Sequence, residues 1–152
     1  MATLIRIITP MISINSNEFF VYGDLNCPFC YGLSELLFKL GIEDKIEWRV
    51  IEHAPEVRSD RCTLEAQSEL ACEVYTVRQR LLDVDISLPP MRPNTRQASL
   101  LLIEGIHQNP KKGLLLRRIF YRALWVDGND ISDPQVIEKC LFEAGFNGVF
   151  TP

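Results

Sequence analysis

Two cysteines in the segment Cys27-Pro28-Phe29-Cys30 have the residue type and spacing for thiol chemistry. The apolar run Phe19–Tyr22 precedes them and predicts a buried strand, and apolar residues at helical spacing follow up to Leu40 and predict a helix that ends at Gly41. The first cysteine therefore lies at a helix N-terminus. There, free N–H groups and the helix dipole stabilise a thiolate and lower its pKa from the free value of roughly 8.5.

This arrangement predicts thiol–disulfide exchange. Pro28 suits the first turn of a helix, and cysteines two residues apart at a helix start can come close enough for their sulfurs to bond. Cys27 is the expected exposed nucleophile that attacks a disulfide, and Cys30, one turn deeper, is expected to resolve the mixed disulfide.

The same spacing also occurs in zinc sites, which need two further ligands. The nearest candidates are His53 and Cys62, and they do not form a second close pair. The strand–helix context favours redox chemistry over structural zinc or an inert pair, so no metal is predicted. Cys62, Cys72 and Cys140 are interpreted as isolated thiols, because five cysteines do not suggest a disulfide framework.

Composition limits the class of protein. The 152 residues are 47% hydrophobic, enough for one cored domain. A net charge of −4 argues against nucleic acid or an anionic membrane as the main partner. No apolar run approaches the length of a membrane span, and the N-terminus is a poor signal peptide, so the chain is predicted to be cytoplasmic.

The first part of the chain predicts a βαβ unit of α/β class. Lys45–Ile51 alternates between apolar and charged residues and predicts a second strand, parallel and adjacent to the first. The chain is divided into an N-terminal arm (1–17), the βαβ unit (18–58), a helical domain (59–146) and a tail (147–152).

About four helices are expected in the helical domain. The first begins near Thr63, and Asn94 caps the second after the proline-rich stretch 88–93. The third follows Asn109-Pro110, and the capping box Ser132–Gln135 opens the last.

Charged residues on the third helix are interpreted as a solvated face rather than a ligand site. These are Arg117, Arg118 and Arg122.

Several residues near the cysteines are candidates for supporting roles. Asp24 can accept a proton or order the loop, and a role in forming the turn is an equal alternative. Tyr31 is expected to be a core or groove-lining residue. His53 is a candidate general base near Cys27, although a surface or capping role is favoured, and His107 is expected to be structural.

The order of elements, with three short motifs, resembles the DsbA-like branch of the thioredoxin superfamily, and within it the FrnE-like subgroup. The motifs are Asp24–Gly32, the stretch Pro93–Thr95 with Ala98, and Trp125–Pro134. The resemblance implies a thiol–disulfide oxidoreductase acting on protein or small-molecule disulfides. No bound cofactor is implied, and glutathione is a candidate co-substrate.

The resemblance also assigns roles at the motif. Cys27 would be the nucleophile and Cys30 the resolving thiol, with Pro28 and Phe29 as supporting residues. Periplasmic family members have a histidine between the cysteines that stabilises the thiolate, and Phe29 stands there in this chain. An aromatic residue at that position suggests a less oxidising site.

The family pattern continues with two more strands, a cis-proline and a closing helix, whereas this sequence stops at Pro152. A partial thioredoxin-like fold, truncated at the C-terminus, is therefore expected. The open edge of Phe19–Tyr22 would then pair with the Leu4–Ile8 arm or with the same strand of a second chain in a homodimer.

Two other functions remain open. One is that of the related kappa-class glutathione transferases and hydroxychromene-carboxylate isomerases, which usually replace one or both cysteines. The other is a catalytically weak module that binds a partner or self-associates.

Overall fold

The computed structural model of the chain describes residues 19–53, 55–56 and 63–147. The predicted N-terminal arm, Cys62 and all but one residue of the predicted tail lie outside them. The elements, in order, are β1 (Phe19–Gly23), α1 (Pro28–Lys39), a 3-10 turn (Glu43–Lys45), β2 (Ile46–Val50), α2 (Leu64–Arg80), α3 (Arg96–Gln108), α4 (Pro110–Trp125) and α5 (Pro134–Glu143). A strand–helix–strand unit followed by four helices confirms the predicted α/β class and element order.

The two strands are parallel and in register from Phe19 opposite Ile46 to Gly23 opposite Val50. This confirms the βαβ unit. Because parallel strands present their carboxyl ends at one edge of a sheet, the loops after β1 and after β2 lie side by side. Any site built on Cys27 is therefore next to the loop that follows β2.

β1 is less buried than its apolar sequence predicts. Phe19, Phe20 and Tyr22 expose 68%, 52% and 55% of their surface. Within the described ranges, β2 is the only strand beside β1, and the guanidinium of Arg49 covers the Phe20 ring at 4.2 Å. The prediction of a buried strand is wrong for these three aromatic side chains. Phe20 and Tyr22 stand opposite the exposed Glu47 and Arg49, on a face of the sheet that the described elements leave uncovered, and Phe19 lies at the start of the strand. The predicted Leu4–Ile8 strand lies outside the described residues.

β2 alternates as predicted. Trp48 is 7% exposed and faces the core, whereas Glu47 and Arg49 are exposed. The Trp48 ring crosses the end of β1 so closely that a Cβ at Gly23 would lie 2.2 Å from its Cζ2 atom. A side chain at this position therefore requires the indole to move.

Helix boundaries follow from local residues. Thr63 caps α2 by accepting a hydrogen bond from Ala66 N at 3.1 Å, as predicted. Gly41 has a φ of +65° and lies just beyond the cap of α1. Thr95 occupies the position directly before α3 but makes no capping hydrogen bond with its side chain, whereas Asn94, the predicted cap, accepts from Arg96 N at 3.0 Å.

The start of α5 differs from the predicted capping box. Asp133, not Ser132, is the capping residue, and its Oδ1 accepts from Gln135 N at 2.8 Å. The Ser132 hydroxyl donates instead to Asp130 Oδ1 at 2.6 Å. Proline is favoured at the first position of a helix, and here Pro134 occupies it. The residue directly before it, Asp133, is therefore the cap.

Arg117 contradicts the predicted solvated face of α4. It is 1% exposed, its Nε donates to Ser34 Oγ at 3.3 Å, and its guanidinium pairs with Glu43 Oε2 at 3.3 Å. The guanidinium also lies 4.3 Å from the Trp48 ring centroid. It is buried because α4 packs against α1 and the 3-10 turn.

The other two arginines of α4 bind one carboxylate. Arg118 and Arg122 pair with opposite oxygens of the buried Glu35, at 3.3 and 3.6 Å. This face of α4 therefore attaches the helical block to α1.

One core joins the βαβ unit to the helices. Its largest fully buried apolar side chains are Trp125, Tyr31, Tyr121, Phe120, Leu25, Leu70, Leu102, Leu116, Leu124, Ile131 and Val74. Among the helices described, none is at once long enough and apolar enough to cross a bilayer.

Candidate active site

The Cys27–Cys30 motif lies where β1 gives way to α1, as the sequence predicts. Cys27 is the capping residue of α1, with an extended backbone (φ −116°, ψ 115°), and Pro28 occupies the first turn. The Cys27 sulfur accepts a hydrogen bond from Cys30 N at 3.4 Å. The sulfur is thus in the place of a helix-capping side-chain oxygen, where negative charge is stabilised.

The two thiols differ in acidity. A hydrogen bond from the Cys30 thiol lowers the pKa of Cys27 to about 6, aided by the backbone N–H groups of Cys30 and Phe29 and by His53, while burial opposes the change. The same thiol hydrogen bond, together with burial, raises the pKa of Cys30 far above its ordinary value. Cys27 is therefore the thiolate and Cys30 holds the proton.

Depth does not distinguish the cysteines. Cys27 and Cys30 are both partly buried, so Cys27 is not a fully exposed thiol. Their positions at the start of α1 and their proton affinities separate their chemistry.

Asp24 orders the loop before the motif. It is 3% exposed, its Oδ1 accepts from Asn26 N at 2.8 Å and from Thr95 Oγ1 at 3.5 Å, and its carbonyl accepts from Cys27 N at 3.2 Å. These hydrogen bonds are those of a turn, and they also order the loop before Cys27.

The other oxygen of Asp24 binds His53. His53 N donates to Oδ2 at 2.8 Å, and the ring Nδ1 lies 2.5 Å from the same oxygen. The His53 side chain is 47% exposed, which agrees with the favoured surface role, and it is held by the same carboxylate that orders the loop before Cys27. The sequence could not indicate this contact, because Asp24, the carboxylate partner of His53, lies 29 residues earlier in the chain.

The helical block fixes the loop between β1 and α1. Trp125 Nε1 donates to Leu25 O at 3.0 Å, and the Tyr121 hydroxyl donates to Asp24 O at 3.0 Å. Both residues of α4 are fully buried. Sequence reasoning missed these roles. The available signal was a tyrosine and a tryptophan four residues apart on an apolar helix face, since buried polar tips require partners.

The proline-rich stretch before α3 also supports this loop. Arg92 Nη1 donates to Asn26 O at 2.8 Å, and the Asn26 amide donates to Pro93 O at 2.9 Å. The Pro93–Thr95 motif, which the sequence could only match by resemblance, is thus in direct contact with the active-site loop.

The remaining candidate residues have distinct places. Tyr31 is fully buried, donates to Asp85 O at 2.5 Å, and has its pKa raised to about 12 by burial, which fits a structural role. Phe29 is 44% exposed beside the thiolate, and Pro28 is buried. His107 is exposed on α3.

The other described cysteines lie outside this site. Cys72 is an exposed free thiol, and Cys140 is a buried one whose pKa is raised to about 11 by burial. Across residues 19–53, 55–56 and 63–147, no group of three or more histidine, cysteine, aspartate or glutamate side chains is arranged to hold a metal ion.

Comparison with known proteins identifies the fold. No protein-family model matches the chain, and no curated protein sequence matches it significantly. Among solved structures, it is similar to the crystal structure of a "putative protein disulfide isomerase" from Nitrosomonas europaea, with a TM-score of 0.60 and 13% sequence identity. The match covers 83% of this chain and 63% of the other, so the chain spans less than two thirds of that protein's length. The chain therefore has a partial thioredoxin-like fold with a DsbA-like helical block.

Proposed function

We propose that the protein is a thiol–disulfide oxidoreductase that acts through Cys27 and Cys30. The single observation that supports this most strongly is the place of the Cys27 sulfur, which caps the start of α1, accepts a hydrogen bond from Cys30 N at 3.4 Å and has the second thiol one helical turn away. A nucleophilic thiolate beside a second thiol is the minimum equipment for disulfide exchange.

The exchange proceeds in two steps. The Cys27 thiolate attacks one sulfur of a substrate disulfide, forms a mixed disulfide, and releases the other substrate sulfur as a thiolate that takes a proton from solvent. Cys30 then gives its proton to solvent, and its thiolate attacks the Cys27 sulfur. The second substrate thiolate leaves, so the substrate has gained two electrons and the enzyme holds a Cys27–Cys30 disulfide. Two molecules of a thiol reductant such as glutathione then reduce the Cys27–Cys30 disulfide and leave joined as a disulfide, which returns the enzyme to its starting state.

Protein or small-molecule disulfides are the proposed substrates. The exposed Phe29 ring lies next to the nucleophile, and the exposed rings of Phe20 and Tyr22 lie on β1, the strand that leads into the motif. Apolar surface of this kind suits a partly unfolded polypeptide better than a small polar disulfide. Within the DsbA-like proteins we favour the FrnE-type subgroup, on the basis of the aromatic residue between the cysteines.

The proposal is tested by measuring whether the protein accelerates the reduction of insulin by dithiothreitol, which is followed as the turbidity of the precipitating insulin. The wild-type protein should accelerate precipitation, and Cys27→Ser should reduce the rate to the uncatalysed background. Cys72→Ser is the matched control, because it removes an exposed thiol outside the site and should retain full activity. A wild-type rate equal to that of Cys27→Ser would refute the proposed function.

A further inference from the structure

This inference rests on the proposed function and concerns the source of positive charge at its nucleophile. We propose that His53 is a positioning residue whose imidazolium, held by Asp24, stabilises the Cys27 thiolate from the loop after β2. The dipeptide between the cysteines is Pro28-Phe29 and carries no charge. Any cationic side chain near the sulfur must therefore come from another element.

The sheet brings that element to the motif. Gly23 and Val50 end the two parallel strands opposite one another, and Ile51 N donates to Gly23 O at 3.1 Å. Three residues beyond the end of β2, the chain places His53 at the edge where α1 begins. The parallel register is thus the reason that residues 24–27 and 53 share one edge of the sheet.

Asp24 fixes the imidazole in that place. Its carboxylate accepts from Asn26 N and Thr95 Oγ1 on one oxygen and from His53 N and Nδ1 on the other. A carboxylate with both oxygens engaged and 3% exposure has little freedom to rotate. The ring it holds is consequently fixed as well, although almost half of its surface meets solvent.

The charges explain why the imidazolium helps. A buried carboxylate three residues before Cys27 disfavours a second negative charge on the sulfur. A protonated His53 neutralises Asp24 and adds its own attraction, which is one of the physical causes that lower the pKa of Cys27. Histidine is suited to this role because its charge changes within the physiological pH range.

Other charged groups around the site have partners of their own. Arg92 pairs with Glu73 at 2.7 Å, and Arg96 of α3 pairs with Glu52 at 3.8 Å. From α4, Tyr121 faces the loop as a neutral phenol, because burial raises its pKa well above the ordinary value. Cys30 of α1 also stays neutral. Of these groups, His53 is thus the one that can place a positive charge beside the thiolate.

The experiment measures the acidity of Cys27 directly, from the ultraviolet absorbance of the thiolate as pH is varied. His53→Asn keeps an amide donor for Asp24 but cannot be protonated, and His53→Ala removes both. Each should raise the pKa of Cys27 by roughly 0.5. This is less than the roughly 1 to 3 caused by a charge in direct contact, because the ring is half exposed to water.

His107→Asn is the matched control, since it removes an exposed imidazole from α3 and should leave the titration unchanged. Circular dichroism establishes that each variant is folded before it is titrated. A Cys27 pKa in His53→Asn equal to that of the wild type would overturn the inference. So would a rise in His53→Ala alone, which would reveal a hydrogen-bonding role without charge.

The titration does not depend on turnover, which separates the two hypotheses. If insulin is not reduced but the His53 variants shift the titration, the proposed function fails and the electrostatic role of His53 stands. If insulin is reduced and the titration does not move, only the role of His53 fails.

Discussion

The acidity of Cys27 predicts an unusual pH dependence for its alkylation. With a pKa of about 6, half of Cys27 should be ionised near pH 6. A cysteine in an unstructured peptide, with a pKa of roughly 8.5, should be half ionised only near pH 8.5. The experiment therefore varies the pH of the reduced protein and measures the rate at which iodoacetamide alkylates Cys27.

The magnitude follows from two opposing factors. At pH 5.5 about 24% of Cys27 is ionised against about 0.1% of the peptide thiol, a ratio of roughly 240. Each low-pKa thiolate is less nucleophilic, however, and a Brønsted slope of roughly 0.4–0.5 over a pKa difference of about 2.5 reduces its reactivity roughly 10- to 18-fold. Cys27 should thus react roughly 15- to 25-fold faster than the peptide at pH 5.5.

The same factors predict that the order of reactivity reverses as pH rises. At pH 7 the ratio of ionised fractions is about 30, which leaves roughly a twofold advantage after the nucleophilicity correction. At pH 8.5 the ratio of ionised fractions is only about 2, so Cys27 should react roughly 5- to 10-fold more slowly than the peptide thiol. The two rate profiles should therefore cross slightly above pH 7.

Mass spectrometry of the peptide that carries Cys27 gives the rate constant without interference from Cys72 or Cys140. Cys27→Ser supplies the baseline, and a free cysteine peptide in the same tube supplies the reference. Half-maximal alkylation near pH 8.5, or profiles that never cross, would show that the N-terminus of α1 and the Cys30 thiol do not stabilise the thiolate.

Three further substitutions test the packing and the hydrogen bonds around the site. Cys30→Ala removes the hydrogen bond that lowers the pKa of Cys27 most, so this pKa should rise in a thiolate titration. Because the resolving thiol is also absent, mixed disulfides should accumulate on non-reducing gels. An unchanged titration would contradict this prediction. Arg117→Met should lower the free energy of unfolding, measured in urea, by about 2 kcal/mol. The loss is smaller than for a fully buried ion pair because the glutamate partner, Glu43, is 20% exposed. A change near zero would be inconsistent with a stabilising ion pair. Gly23→Ala should cost roughly 1–3 kcal/mol in the same assay, because its Cβ would overlap the Trp48 ring, and wild-type stability would show that the ring moves freely.

The local part of the site could be predicted from the sequence because its determinants are adjacent in the chain. An apolar strand, a cysteine, a proline and a helical periodicity within about twenty residues are enough to place Cys27 at the start of α1, and the structure has it there. The acidity of Cys27 follows from the same local features, since its main hydrogen-bond partners are the Cys30 thiol and the nearby backbone.

Contacts between distant residues could not be predicted in the same way. Arg117 has the sequence signature of a solvated arginine, yet Ser34 and Glu43, more than seventy residues earlier, make its burial tolerable. Likewise, His53 looks like a turn residue until the parallel register places it on Asp24. In both cases a polar side chain is buried or positioned by a partner that no local pattern identifies.

The exposure of β1 has a similar origin. Its run of aromatic residues predicts burial, but a strand is buried only when neighbouring elements cover it, and periodicity carries no information on how many neighbours are present. The alternation along β2 was a safer guide, because it reports one covered face and one exposed face for a single strand.

The helical block has a physical role at the site although it supplies neither sulfur. Three successive carbonyl groups of the loop, those of Asp24, Leu25 and Asn26, each accept a hydrogen bond from a side chain beyond α2: Tyr121 and Trp125 of α4, and Arg92 of the proline-rich stretch before α3. A buried loop needs such partners for its backbone, and here they also fix the loop that leads into α1. The N–H groups that face the Cys27 sulfur are consequently aligned before the thiolate forms. Dipoles that are already aligned stabilise a charge without any reorganisation of the protein when the charge appears. By fixing the loop before α1, these side chains therefore favour the Cys27 thiolate.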